Sequence, residues 1–126
     1  MISIAGSSER LRPHVKTHKI AEIVQLQLQQ GISSFKCATL SEVEMVAGAG
    51  GLNILLAYPL LGPGIGLWFD LGDRFPGSRL AVTVDSEAAL SQIVDQANKR
   101  GKQVDLFVDL DNGMHRTGMA PSEAYG

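Results

Sequence analysis

The sequence lacks the features that mark membrane, secreted and nucleic-acid-binding proteins. Cys37 is its only cysteine, so no intrachain disulfide can form, and this cysteine usage is typical of a reducing compartment. No apolar run approaches the roughly 20 residues of a membrane span, and the first residues have no signal-peptide core. The formal net charge of −2 gives no reason to expect nucleic acid or an acidic membrane as a partner. We therefore expect a cytoplasmic protein with a small-molecule partner.

The composition is that of ordinary globular material. The 126 residues include 44% hydrophobic ones, and the mean hydropathy is near zero. This size and composition correspond to about one domain at most, without a signature of disorder. The single cysteine is expected to be a small buried hydrophobic residue.

Apolar segments of strand length alternate with segments of helical periodicity along the chain. The segment 53–57 is a continuous apolar run, which is typical of a parallel strand buried on both faces. Five strands are predicted in all: at Val15 and at 34–38, 53–57, 80–84 and 104–109. Because helices are predicted between them, the pattern indicates repeated βα units and an α/β fold with a parallel sheet.

Capping residues precede the predicted helices. The candidate N-caps are Thr17 or His18, Thr39 or Ser41, and Asp85 or Ser86. Glu44 follows Ser41 by three residues, which predicts a capping box. The glycine-rich segment 62–66 lacks the lysine and hydroxyl of a phosphate-binding P-loop, so it is interpreted as a turn from a strand into a helix, with Trp68 and Phe69 beyond it in the core.

The segment 12–19 (RPHVKTHK) crowds two lysines and two histidines around one predicted strand end. In parallel α/β folds, groups that do chemistry gather at the carboxyl ends of strands. Neighbouring positive charge or partial burial favours the neutral amine that a Schiff base requires, and both influences are within reach of Lys16. The alternative is a solvated basic loop with ordinary lysines, and the segment by itself favours neither reading.

A second polar cluster follows the fifth predicted strand. The segment 109–118 (DLDNGMHRTG) contains aspartates, a histidine, an arginine and two glycines. Parallel strands would bring this loop to the same rim as Lys16. An arginine beside a cofactor ring can donate two directed hydrogen bonds, and an aspartate can orient it. Taken alone, however, aspartate-rich turns with glycine are usually only turns.

Four segments together carry a resemblance to a known family. The chain resembles the pyridoxal-phosphate enzymes with an alanine-racemase-like barrel, in the branch that holds D-threonine aldolases and D-serine dehydratases. The matching segments occur in the family's order and extend across nearly the whole chain: 12–19 (RPHVKTHK), 38–42 (ATLSE), 55–59 (LLAYP) and 108–118 (VDLDNGMHRTG). The first and last are the specific ones, whereas the middle two are also compatible with strand packing.

The resemblance implies a (β/α)8 barrel of fold-type III that binds pyridoxal 5'-phosphate at the carboxyl ends of its strands. Lys16 would be the catalytic residue that forms the Schiff base with the cofactor, Arg116 would approach the cofactor's ring oxygen, and His14 would be a near neighbour that tunes the site. Lys19 is the rival amine, but it is predicted inside the start of a helix and pointing to solvent. The bound cofactor acts as an electron sink for bonds at the amino acid's Cα.

The length departs from the family's pattern. A closed barrel needs about 250 residues, so residues 1–126 are interpreted as part of a single barrel domain, about five βα units, without the C-terminal β-domain. Residues 1–6 resemble the tail of a first helix, and Tyr125 would begin another. The resemblance implies a divalent metal only in the full-length protein, on the C-terminal domain, so no metal site is predicted here. A homodimer is expected for the full-length form.

The leading functional hypothesis is retro-aldol cleavage of D-threonine-like β-hydroxy amino acids. Its partner would be a small D-amino acid, not nucleic acid or a membrane. A β-eliminating D-serine dehydratase fits the lysine motif equally well, and an amino-acid racemase is a third possibility. A non-catalytic pyridoxal-phosphate-binding protein and an inactive fragment are the alternatives outside catalysis.

Overall fold

Four strands lie side by side in chain order in one parallel sheet of the computed structural model, which describes residues 1–123. They are β1 (Ser34–Cys37), β2 (Asn53–Leu56), β3 (Arg79–Val84) and β4 (Asp105–Val108). The helices are α1 (Ile2–Ala5), α2 (Ala21–Gln29), α3 (Leu40–Gly48), α4 (Pro63–Arg74) and α5 (Glu87–Arg100). One helix connects each strand to the next, which gives the crossover that parallel strands require.

The strand register sets which side chains share a face of the sheet. Lys36 pairs with Leu55, Leu55 with Ala81, and Ala81 with Asp105. The middle strands β2 and β3 have consecutive buried residues, as predicted for parallel strands covered on both faces. The outer strand β4 is more exposed, because within residues 1–123 it has a neighbour on one side only.

The hydrophobic core lies between the sheet and the helices. Trp68 and Phe69 on α4 are buried and pack edge to face, with ring centroids 4.9 Å apart, so their predicted place in the core is confirmed. Cys37 is also buried, and burial raises the pKa of its thiol to about 12, so the thiol is protonated at neutral pH. The side chains buried almost completely include Phe35, Ile54, Leu56, Val82 and Ile93.

The strand predicted at Val15 is wrong. Val15–Thr17 is a 3-10 turn, and only a single parallel bridge joins His14 to Lys36. Side chains stabilise the turn, because His14 Nδ1 accepts a hydrogen bond from the Lys16 N–H at 3.3 Å and Thr17 Oγ1 donates to the His14 carbonyl at 3.1 Å. Val15 is apolar because it is fully buried, not because it continues a strand. The described residues therefore form four strands instead of five, and His14 contacts the sheet through an isolated bridge.

The helix starts agree with the prediction only in part. Thr39 and Ser86 cap α3 and α5, as expected. The predicted Thr17 or His18 cap is wrong, because α2 begins later, at Ala21, and Ile20 occupies its N-cap position.

The predicted capping box between Ser41 and Glu44 is also wrong. Glu44 pairs with Arg74 at 2.6 Å, and Glu42 is the carboxylate that folds back on the start of α3.

The remaining helix predictions concern the glycine-rich segment and the chain end. The predicted transition from a turn into a helix is confirmed, but the turn is confined to Gly62, which has a positive φ, because residues 63–66 already belong to α4. The further helix predicted near Tyr125 lies outside the described residues. Within residues 1–123, every helix is too short or too polar to cross a bilayer.

Candidate functional site

A cavity of about 250 Å³ opens where the strands end. Three parts of the chain line it: the turn carrying His14 and Lys16, strand residues that include Lys36 and Thr83, and the loop after β4 that carries Arg116. This edge of a parallel sheet is where functional groups gather. Lys16, His14 and Arg116, the three residues that the family resemblance implies for the cofactor, thus line one cavity despite their separation in sequence.

A larger groove of about 490 Å³ lies elsewhere, between Ile2 and α2. Its lining side chains are apolar or uncharged, with Pro13, Leu26 and Gln27 among them. Such a surface offers no side-chain acid or base, and its one hydroxyl, that of Ser3, therefore has no general base beside it on this lining. The cavity at the strand ends is therefore the candidate site, although it is smaller.

Lys19, the alternative amine for the Schiff base, forms an ion pair outside the cavity. Its Nζ lies 3.5 Å from Oε1 of Glu42, and Lys19 is absent from the cavity wall. The sequence prediction placed Lys19 inside a helix start, but it precedes α2 and has φ +54°, a left-handed conformation. The prediction that it would point to solvent agrees with its 62% exposed side chain. Lys16 is the one of these two amines that faces the cavity.

Glu42 is a buried acid that the sequence analysis did not single out. It is 3% exposed, and its Oε2 accepts the backbone N–H of Ala38 at 2.7 Å while Oε1 faces Lys19. Its own N–H donates to Thr39 Oγ1 at 3.2 Å. The Thr39-x-x-Glu42 spacing is the signal that could have identified this cap. The pair between Glu42 and Lys19 ties the lysine turn to the start of α3.

His14 stands beside two lysines and is partly buried. Burial lowers the pKa of His14, and the positive charges of Lys16 and Lys36 lower it further. The imidazole is therefore neutral at pH 7. Because Nδ1 accepts the Lys16 N–H, the proton of the neutral ring is on Nε2. His14 thereby holds the turn on which Lys16 is carried.

The loop that presents Arg116 is organised by Asp111. One carboxylate oxygen accepts the N–H groups of Gly113 and His115, both at 3.0 Å, and the other lies 2.7 Å from His115 Nδ1. These hydrogen bonds lower the pKa of Asp111 to about 2. The loop also closes on itself, because the Asp111 N–H donates to the Met119 carbonyl at 2.9 Å. Arg116 therefore lies between two ordered parts of the loop, the turn bound by the Asp111 carboxylate and the backbone hydrogen bond to Met119.

The titration of Asp111 provides a first testable prediction. A carboxyl whose pKa falls from 3.8 to about 2 on folding stabilises the folded loop fully above pH 3.8, and this contribution is lost as the pH falls towards 2. Carbon-detected NMR of the Asp111 carboxyl should therefore give a midpoint near 2, with the His115 amide losing exchange protection over the same range. A midpoint near 3.8 would contradict the arrangement.

Lys36 is a second amine in the cavity wall, and the sequence analysis missed it. It lies on β1 between Phe35 and Cys37, both fully buried on the helix side of the sheet. Because side chains alternate along a strand, Lys36 projects to the opposite side, into the cavity. The alternation was visible in the sequence, but a lysine in a short strand is usually assigned to solvent.

Residues 1–123 contain no group of three or more histidine, cysteine or acidic side chains placed to hold a metal ion. The donors in the cavity are instead amines, a guanidinium and an imidazole, with Asp109 and Asp111 on its wall. Such a donor set suits an anionic organic molecule.

Comparison with known proteins adds sequence and structural relatives. Residues 1–126 match the family described as "Alanine racemase, N-terminal domain". The chain is 33% identical over 111 residues to a D-threonine aldolase from Arthrobacter sp, covering 87% of this chain and 28% of the aldolase. It is 32% identical over 114 residues to a D-threo-3-hydroxyaspartate dehydratase from Delftia sp. (strain HT23), covering 90% of this chain and 30% of the dehydratase.

A solved structure is similar over nearly the whole chain. The crystal structure of D-threonine aldolase from Filomicrobium marinum superposes with a TM-score of 0.85 and 29% sequence identity, covering 96% of this chain and 32% of the aldolase. The predicted α/β fold, part of an alanine-racemase-like barrel, is thereby confirmed. The chain spans about three tenths of the length of each of these relatives. On the match over residues 1–126, the chain belongs to the alanine racemase N-terminal domain family.

Proposed function

We propose that this chain forms part of a pyridoxal-phosphate-dependent lyase that cleaves the Cα–Cβ bond of D-β-hydroxy amino acids such as D-threonine. The observation that carries the proposal is the common cavity of Lys16, His14 and Arg116. The similarity to a D-threonine aldolase over 87% of this chain supports it. Since that similarity covers 28% of the aldolase, the reaction is proposed for the protein as a whole.

The donor set of the cavity fits this cofactor. Pyridoxal phosphate offers an aldehyde that reacts with an amine, together with phenolate and phosphate oxygens that carry negative charge. Lys16 supplies the amine, and Arg116 supplies positive charge on the same wall. The bound cofactor withdraws electrons from the bonds at the amino acid's Cα, which is the chemistry that a lyase of this kind needs.

Three residues of this chain would then have separate roles in binding and using the cofactor. Lys16 would hold the cofactor through its amine, and when that amine is free it could act as a base in the same cavity. His14 is a positioning residue, because its Nδ1 binds the Lys16 backbone N–H and fixes the direction of the lysine. Arg116 donates to an anionic oxygen of the cofactor, and the hydrogen bonds of Asp111 keep its loop in place.

Elimination of water is the second candidate reaction, because one relative is a D-threo-3-hydroxyaspartate dehydratase. Aldol cleavage and dehydration start from the same β-hydroxy amino acid and differ in which bond at Cβ breaks. The same relative makes an acidic side chain a candidate alongside the neutral one of D-threonine. A D-serine dehydratase, a racemase and a non-catalytic cofactor-binding protein remain further proposals. A homodimer and a divalent metal held outside residues 1–126 belong to the same proposal.

Product analysis tests the proposal. The protein, expressed from its complete reading frame and loaded with pyridoxal phosphate, is incubated with D-threonine and, separately, with D-serine. Glycine and acetaldehyde from D-threonine would support aldol cleavage, and their loss on chelation would support the metal. Pyruvate and ammonia from D-serine would establish the dehydratase, and conversion to the L-amino acids alone would establish a racemase. Cofactor binding without any product would overturn the lyase proposal.

A further inference from the structure

Lys36 is a positively charged side chain in the candidate site that the proposed function does not require. It lines the same cavity as Lys16, and its backbone N–H donates to the Pro13 carbonyl at 2.9 Å next to the bridge with His14. The charge of Lys36 also reaches the neighbouring imidazole, because it is one of the causes that lower the pKa of His14.

No carboxylate of residues 1–123 lies within 4.0 Å of the Lys36 amine, the distance that defines an ion pair. Asp111 on the same wall is occupied by its own loop, and Asp109 on that wall forms no ion pair with Lys36. The strand residue paired with Lys36, Leu55, is uncharged. Lys19, in contrast, has Glu42 as its partner. A half-buried ammonium without a counter-ion is unfavourable, so the cavity is arranged for an anion at this place.

The position of Lys36 in the strand register indicates which anion. Lys36 pairs with Leu55 and, through it, with Ala81. Thr83 lies further along β3 and Asp109 follows the end of β4, so both are nearer to the rim. Lys16 lies two residues after His14, which forms the bridge, and is therefore nearer to that rim. The substrate amine would take the place of the Lys16 amine on the cofactor there. An amino acid attached at the rim can extend its side chain towards the floor of the cavity, where Lys36 is anchored.

We propose that Lys36 is a specificity-determining residue that binds a second carboxylate, on the side chain of a D-β-hydroxy amino acid. This inference rests on the proposed function and narrows its substrate class to amino acids with an acidic side chain. The ammonium donates charge-assisted hydrogen bonds to the side-chain carboxylate, while the α-carboxylate and the cofactor are bound by other groups. Neutral D-threonine would use the same cavity with this interaction missing.

Steady-state kinetics of the cofactor-loaded protein, expressed from its complete reading frame, test the assignment. The wild type is expected to have a higher kcat/KM for 3-hydroxy-D-aspartate than for D-threonine. Lys36→Met, which keeps the length and removes the charge, should lower kcat/KM for the acidic substrate by roughly 10- to 100-fold, the range for a charge-assisted hydrogen bond. The value for D-threonine should stay within about threefold, since a neutral side chain has no such bond to lose.

Two variants serve as controls. Lys36→Arg keeps the positive charge and should restore part of the activity on the acidic substrate. Lys99→Met removes an exposed lysine on α5, outside the cavity, and should leave both substrates unchanged. Equal losses on both substrates in Lys36→Met would overturn the proposal, because they would mean that Lys36 binds the α-carboxylate or the cofactor. Unchanged kinetics would overturn it as well.

Binding experiments without turnover separate this inference from the proposed function. Succinate and butyrate differ by one carboxylate and have no amine, so calorimetry with the wild type should detect tighter binding of succinate. Lys36→Met should abolish that difference and raise the pKa of His14 in an NMR titration, because a neighbouring positive charge is removed. If the wild type converts neither amino acid, the proposed function fails, and the succinate result still decides the role of Lys36.

Discussion

Replacement of Lys16 by alanine is expected to remove the borohydride-reducible covalent link between the protein and pyridoxal phosphate. Lys16 is the amine of the turn Val15–Thr17 that faces the cavity, whereas Lys19 is paired with Glu42. Lys16→Ala removes the amine that would make the covalent bond, and the second amine of the cavity, Lys36, starts from β1 instead of from this turn and is not expected to replace it. Activity should therefore fall by a factor on the order of 10⁴ to 10⁶, as for other enzymes that lose their nucleophile.

The measurement combines spectroscopy with peptide mapping. The wild-type protein is mixed with pyridoxal phosphate, reduced with borohydride and digested, and the label should lie on the peptide that contains Lys16. Lys19→Ala is the matched control, because it removes an amine three residues away and leaves the cavity wall intact. It should retain the label, and it should also lower the stability, because the buried Oε1 of Glu42 loses its partner. A full-strength label in Lys16→Ala would make Lys19 or another amine the true site.

Replacement of Gly118 by alanine is expected to displace the loop that carries Arg116. A Cβ at this position would lie 2.5 Å from the Asp111 backbone nitrogen and 2.7 Å from the Leu110 carbonyl carbon. Backbone atoms cannot give way as the end of a flexible side chain can, so the loop must open. Gly118 also has φ +99°, a conformation that alanine adopts only with strain of about 1 to 3 kcal/mol.

Gly113→Ala is the control that separates strain from collision. Gly113 lies in the same loop with φ +120°, but a Cβ there would have no atom within 4 Å. Both variants should lose stability, and Gly118→Ala alone should weaken pyridoxal phosphate binding further, by at least about tenfold if Arg116 contributes one charge-assisted hydrogen bond. Equilibrium titration of the cofactor and denaturant unfolding measure the two effects. Equal cofactor affinities in the two variants would contradict the role given to the loop.

The sequence predicted all four strands of the sheet, and it predicted β2 and β3 most clearly because their apolar runs are continuous. The segments 34–38, 53–57, 80–84 and 104–109 correspond to β1 to β4 within one residue at each end. Burial on both faces demands such runs in a parallel sheet, so the pattern is strong even in one sequence. The prediction failed at Val15, where one apolar residue serves a buried 3-10 turn, because a single position has no periodicity to interpret.

The sequence predicted several residues that line the candidate cavity, but it did not predict which charged groups lie beside them. The motifs around Lys16 and Arg116 were visible as clusters of polar residues at strand ends, and the family resemblance gave them roles that stay predictions. The partners Glu42 and Lys36 were missed, because each takes its importance from a neighbour that is distant in sequence. Sequence spacing reports on neighbours along one helix or strand, and it carries no information about charges brought together across a sheet.

The sequence by itself determined the alternation of strands and helices, the parallel sheet and the membership in the family. Local propensity and burial patterns suffice for these features, because each depends on residues close together in the chain. Only the tertiary structure decided which lysine faces the cavity, that His14 is neutral, and that Lys36 stands beside it without a counter-ion. These properties depend on distances and on burial, which exist only after the strands have packed and the water between them has been removed.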